Sequence, residues 1–215
     1  DSSTSRGLGD VYKRQSLPDI RPQTKTTRKL AFLELFKLPG FAAVVTVSAL
    51  IQASHGALYG IGTLHWLEAG ISESIIGLLW AQGVAAEVVL FAIGLWLLKK
   101  VGVKGLLWMA VIGGTIRWVL LGWSTDVGLL FTVQILHAFT FAATHLAMTQ
   151  YITQKVPDQL TASAQTLYDA LALGALMGIS MTLAGGLYGY ISGQVFWVMA
   201  LISISAGLVL KRCKW

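Results

Sequence analysis

Two ionisable residues sit deep inside apolar runs. Glu87 lies in GVAAEVVLF and Arg117 in GGTIRWVLL. A charge at the centre of a membrane helix costs about 2.5–3.5 kcal/mol on insertion scales, so such residues persist where they pair or line a watered cavity. Two chemistries fit: a structural Glu87–Arg117 ion pair that fixes helix packing, or a substrate or proton site. A further run carries Gln134, His137, Thr140, Thr144 and His145. At 100° per residue these fall on one broad stripe, which is expected to face the interior of a bundle rather than lipid. His55 is another candidate. Asp169 is expected to cap a helix near its N-terminus, where a carboxylate is favoured.

The same residues argue against other chemistries. His137 and His145 are eight residues apart, about 12 Å along a helix axis, too far to share one metal ion. No metal site and no cofactor are expected. The single cysteine, Cys213, excludes an internal disulfide framework and a Cys-based zinc site. An intramembrane hydrolase needs a nucleophile with a base in reach, and Ser180 with His137 or His145 is the best set available. Nucleophile-elbow, HExxH and phosphate-loop motifs are missing, so no enzyme is expected.

The elements that must hold these residues follow from composition. Of 215 residues, 55% are hydrophobic and 12% charged, and the mean hydropathy is +0.67. Soluble domains carry roughly 25% charged residues. Disorder and a soluble globule are excluded, and a polytopic all-α membrane protein is expected. Apolar runs lie near 40–66, 74–98, 104–123, 127–152, 165–190 and 194–211. Each approaches or exceeds the roughly 20 residues a membrane helix needs.

The net charge of +6 lies in short patches between these runs rather than on one solvated face, so no nucleic-acid partner is expected. Lys99, Lys100, Lys104, Lys155, Lys211, Arg212 and Lys214 alternate with loops holding Glu68, Glu73 and Asp126. By the positive-inside rule this predicts a multi-pass protein with both ends in the cytoplasm.

Residues 5–15 read SRGLGDVYKRQ and match an in-frame translation of a transposase sequencing adapter. Residues 1–15 are therefore expected to be an artefact, and the natural protein is expected to extend upstream. Residues 16–38 read as a basic cytoplasmic linker that turns amphipathic near Leu30–Leu38. The transmembrane bundle then occupies 39–211 and a cytoplasmic tail 212–215. GxxxG pairs at Gly56/Gly60, Gly174/Gly178 and Gly185/Gly189 suggest close helix packing. Trp66, Trp123 and Trp197 suit an interfacial belt. Tyr59, Trp80 and Trp118 lie deeper, where they stack on an aromatic ligand or fill space.

The stretches GLLWAQGVAAEVVLF, TIRWVLLG, VQILHAFTFAATHLA and VFWVMAL, in that order over about 41–205, resemble the C-terminal half of a major facilitator superfamily transporter. Within it they resemble the 3-phenylpropionate permease group, related to the galactoside–proton symporters. LLKKVGVKGLL resembles the superfamily's loop motif between helices eight and nine, without its Asp. The resemblance implies a six-transmembrane-helix bundle, half of a twelve-helix fold working by alternating access.

It also implies that Glu87, Arg117 and His137 match cavity residues of the symporters. Gln134 and Thr140 stand where those proteins carry a Lys and a proton-coupling Glu, so any coupled proton falls to Glu87 or a His. The function so expected is secondary transport of a small organic solute across the inner membrane, such as an aromatic carboxylate moved with protons. The expected partners are that solute, protons, the lipid bilayer and the missing N-terminal six-helix half. Glu87, Arg117, His137, Gln134, His55, Thr140 and His145 form the expected substrate and proton site. The alternatives are a sugar or nucleoside symporter of the same superfamily, and a complete six-span dimeric scaffold or channel.

Overall fold

The computed structural model describes residues 28–213. The adapter reading of 1–15, the first part of the linker and the end of the tail lie outside the described residues. Among the described residues all regular structure is helical. A short helix, α1 (Arg28–Lys37), precedes α2 (Phe41–Glu68), α3 (Glu73–Trp123) and α4 (Val127–Lys155). The stretch Asp158–Arg212 forms α5 (158–191) and α6 (Val195–Arg212), separated at Ser192, whose φ of 46° leaves the helical region. Four segments are long and apolar enough to cross a membrane: α2, α3, α4 and Asp158–Arg212.

Three details differ from the expectation. The runs 74–98 and 104–123 lie within the single assigned helix α3, which is interrupted at Gly102 with φ 68° and ψ 178°. A positive φ of this kind is open to glycine at little steric cost. The fifth helix starts at Asp158 rather than 165. Pro157 precedes it and Asp158 fills its first turn, so a polar start extends the helix without breaking it. Finally, α1 occupies the latter part of the expected linker, with Leu35 fully buried against the bundle.

Helix α2 is the inner element: 78% of its apolar window is buried, against 22% for α3. The outer faces of α3 show Val88, Val89, Leu95, Trp96 and Ile112, as lipid-facing helices should. Two apolar clusters fill the bundle. One gathers Phe41, Val44, Leu90, Leu106, Met148 and Leu210 toward the end bearing the lysine loops. The other gathers Leu58, Trp66, Leu79, Trp118, Leu130 and Phe196 toward the acidic loops. Between them lies a layer of buried polar side chains: Gln52, Ser54, His55, Arg117, Gln134, His137, Thr140 and Thr144.

This layer coincides with irregular backbone. Helix α2 has a π-turn at Leu58–Gly62, α4 one at Ala138–Ala142 and α5 one at Asp169–Ala175. Side chains compete for main-chain carbonyls there. Ser54 Oγ donates to Ile51 O (2.6 Å), and Thr144 Oγ1 donates to Thr140 O (2.7 Å). Such bonds bend helices, and π-turns are frequent at functional sites.

Candidate functional site

Arg117 is the centre of the polar layer and is fully buried. Its Nη1 donates to His137 Nδ1 (2.7 Å) and Thr140 Oγ1 (3.2 Å), and its Nη2 donates to Gln134 Oε1 (2.5 Å). Gln134 is oriented in turn by donating from Nε2 to the Leu79 carbonyl (3.0 Å). The guanidinium carbon also lies 4.8 Å from the centre of the Trp118 ring.

Hydrogen-bond direction assigns the histidine tautomers. A guanidinium only donates, so His137 Nδ1 is the lone-pair nitrogen and Nε2 carries the proton. That Nε2–H meets Glu87 Oε1 at 2.6 Å. His137 is thus a neutral bridge between a buried cation and a carboxylate. For His55, Nδ1 faces the carbonyls of Ile51 (3.0 Å) and Gln52 (3.2 Å), which only accept, so the proton is on Nδ1. His55 Nε2 then accepts from Thr140 Oγ1 at 3.0 Å. One chain runs from Glu87 through His137, Arg117 and Thr140 to His55.

A direct Glu87–Arg117 ion pair, one of the two readings of the sequence, is not what forms: His137 stands between them. Depth along the helices brings the two charges to one level, but the imidazole of α4 fills the gap. Gly83 permits this, since a Cβ there would lie 3.3 Å from His137 Cδ2. The Glu87 side chain is 16% exposed, His137 6% and Arg117 not at all, so the carboxylate is the outermost member. Tyr59 lies beside it. Its ring stacks on His55 (5.5 Å) and Trp80 (5.8 Å), and its hydroxyl is 3.4 Å from His137 Nε2.

His145 does not join this chain. Its ring packs between Phe91 (6.3 Å) and Tyr168 (5.9 Å), nearer the lysine-bearing end. The π-turn at Ala138–Ala142 alters the helical register between His137 and His145, which the regular 100° stripe did not anticipate. Gln52 Nε2 donates to Tyr168 Oη at 3.2 Å in the same neighbourhood. Sequence reasoning missed Gln52 and Tyr168. The signal was a glutamine inside the apolar run of α2, one turn before His55.

Asp169 is not an N-terminal cap, because eleven helical residues precede it; its Oδ1 accepts from Gln165. Ser180 donates to Met199 Sδ (3.6 Å) and packs on Gly56, away from both histidines proposed as its base. Among the described residues no group of three or more His, Cys, Asp or Glu is placed to hold a metal ion.

The family model that matches, over residues 8–199, is the MFS_1 like family. The chain belongs to the MFS_1 like family. It is a multi-pass membrane protein of a transporter family, not one of enzymes. A curated relative is the "Probable 3-phenylpropionic acid transporter" of Escherichia coli (strain K12). The two are 39% identical over 157 residues, which is 73% of this chain and 41% of the relative. The chain thus spans well under half of that relative's length and resembles the phenylpropionate permease group within the MFS. No solved structure matches the chain.

Proposed function

We propose that this chain is the second six-helix half of a twelve-helix inner-membrane transporter. On this reading α3 is two spans meeting at Gly102, and Asp158–Arg212 is two spans meeting at Ser192. The lysine-bearing loops and both ends of the chain face the cytoplasm, as the positive-inside rule requires. The cargo is a small organic carboxylate with an aromatic ring, moved together with a proton by alternating access. The likeness to a relative named for 3-phenylpropionic acid supports this cargo.

The observation that carries the reading is the Glu87–His137–Arg117 chain at the boundary between the two apolar clusters. Ionisable residues inside a membrane bundle default to function. Arg117 supplies a fixed positive charge, and His137 presents it as a polarised N–H on the side where Glu87 is exposed. Gln134, Thr140 and His55 hold the guanidinium and the imidazoles in place. Tyr59, held between His55 and Trp80, and Trp80 itself make an aromatic wall on this side of the network.

Uptake of labelled 3-phenylpropionate by cells making the full-length protein tests this. Arg117→Ala should reduce uptake by at least about a hundredfold, the scale of a lost buried charge contact. Uptake at the unaltered rate in that variant overturns the role of Arg117. Glu87→Gln should abolish uphill accumulation while sparing exchange; if accumulation survives, another residue carries the proton.

A further inference from the structure

The site has a charge balance that constrains how it takes a substrate. Arg117 contributes one positive charge, Glu87 one negative charge, and His137 is neutral between them. A monocarboxylate that enters adds a second negative charge in a layer walled by two apolar clusters. Two carboxylates sharing one such site do not both stay ionised. The outward-facing donor of the chain is the His137 Nε2–H, and Glu87 Oε1 already occupies it at 2.6 Å.

We propose that Glu87 is a built-in stand-in for the substrate carboxylate: the incoming anion replaces it on the His137 Nε2–H, and the displaced Glu87 takes up one proton. This rests on the carboxylate reading given above. The hydrogen bond from His137 to Glu87 breaks, one from His137 to the substrate carboxylate forms, and a proton from the solvent on the open side binds Glu87. The net charge of the site is zero before and after. One monocarboxylate therefore travels with one proton, and the loaded and empty sites cross the membrane without moving charge.

The neighbouring groups leave Glu87 as the acceptor. His137 cannot take the proton, because its remaining nitrogen, Nδ1, accepts from Arg117 at 2.7 Å. The other titratable groups facing Glu87 are Tyr59 of α2, Arg117 of α3 and His145 of α4. Arg117 is already the cation of the balance. A Tyr59 hydroxyl is neutral and has no proton to gain. His145 packs between Phe91 and Tyr168 and has no hydrogen bond to His137, so an anion there does not release it. The Tyr59 hydroxyl, 3.4 Å from His137 Nε2, adjoins the vacated position.

The test is calorimetric titration of the purified full-length protein with 3-phenylpropionate, in two buffers of different ionisation enthalpy. The expected result is one proton taken up per ligand bound. Affinity should then fall about tenfold per unit rise in pH above neutrality, the linkage slope for one proton. Glu87→Gln should bind the ligand with no proton uptake and with a flat pH profile. Binding by the unaltered protein without proton uptake overturns the inference and leaves the transport reading standing. Proton uptake that persists in Glu87→Gln overturns it as well and points to His145. If the protein neither binds nor transports any aromatic monocarboxylate, the underlying transport reading fails and the inference falls with it.

Discussion

The Arg117 network and the Gln52–Tyr168–His145 group share neighbouring turns of α2 and α4, yet they are filled in opposite ways. Around Arg117, both terminal guanidinium nitrogens, both nitrogens of each histidine and the Gln134 amide have partners; Arg117 Nε is the exception. In the second group, Gln52 Oε1 and His145 Nδ1 have no hydrogen-bond partner among the described residues. The difference follows from charge. A buried guanidinium stripped of partners costs far more than a neutral amide left half-satisfied. The chain has therefore assembled acceptors for both terminal nitrogens of the guanidinium where it buries a charge. The second group holds no guanidinium or carboxylate and tolerates the looser arrangement.

The strongest way to break this contrast is to remove the charge. Arg117→Met leaves Glu87 and His137 without the cation, and breaking a buried pair in this way costs about 3–5 kcal/mol. The thermal midpoint of the full-length protein in detergent should fall sharply. Adding Glu87→Gln to the same protein should restore a good part of the loss, since it removes the unpaired anion. If the double variant is no more stable than Arg117→Met alone, the two charges are not coupled through His137.

A smaller effect is expected one step from the charge. Thr140→Val keeps the shape but removes the hydroxyl that accepts from Arg117 and donates to His55. Hydrogen bonds to charged groups contribute about 1.5–3 kcal/mol, so the midpoint should drop by an intermediate amount. An unchanged midpoint shows that His55 is not part of the network.

The ionisable members of this network were legible because Glu, Arg and His stand out in apolar runs. Depth was legible too, because helical rise converts position into height. What sequence spacing did not convey was rotation about each axis. The π-turn at Ala138–Ala142 changes the register of α4, and His145 leaves the stripe that His137 occupies. The glycine pairs make the same point. Gly56 and Gly60 meet the backbone of Ser180 and Met181, as their spacing suggested. Gly178, Gly185 and Gly189 share that spacing but would meet nothing within 4 Å. A repeat records that a helix could be approached closely; only the neighbour decides whether it is.

The gentlest test acts on the second group itself. Gln52→Leu combined with Tyr168→Phe removes both ends of the Gln52–Tyr168 hydrogen bond, together with the unpartnered Gln52 Oε1. Replacing both partners with apolar groups of similar shape is nearly neutral when no charge is involved. The stability of this double variant should stay within about 1 kcal/mol of the unaltered protein, and uptake should persist. A large loss of stability places this group alongside the Arg117 network as a structural requirement. A loss of uptake at unchanged stability has a different meaning: the open acceptor of Gln52 and the open nitrogen of His145 then serve as a station on the transport path, and their missing partner is the cargo or its proton.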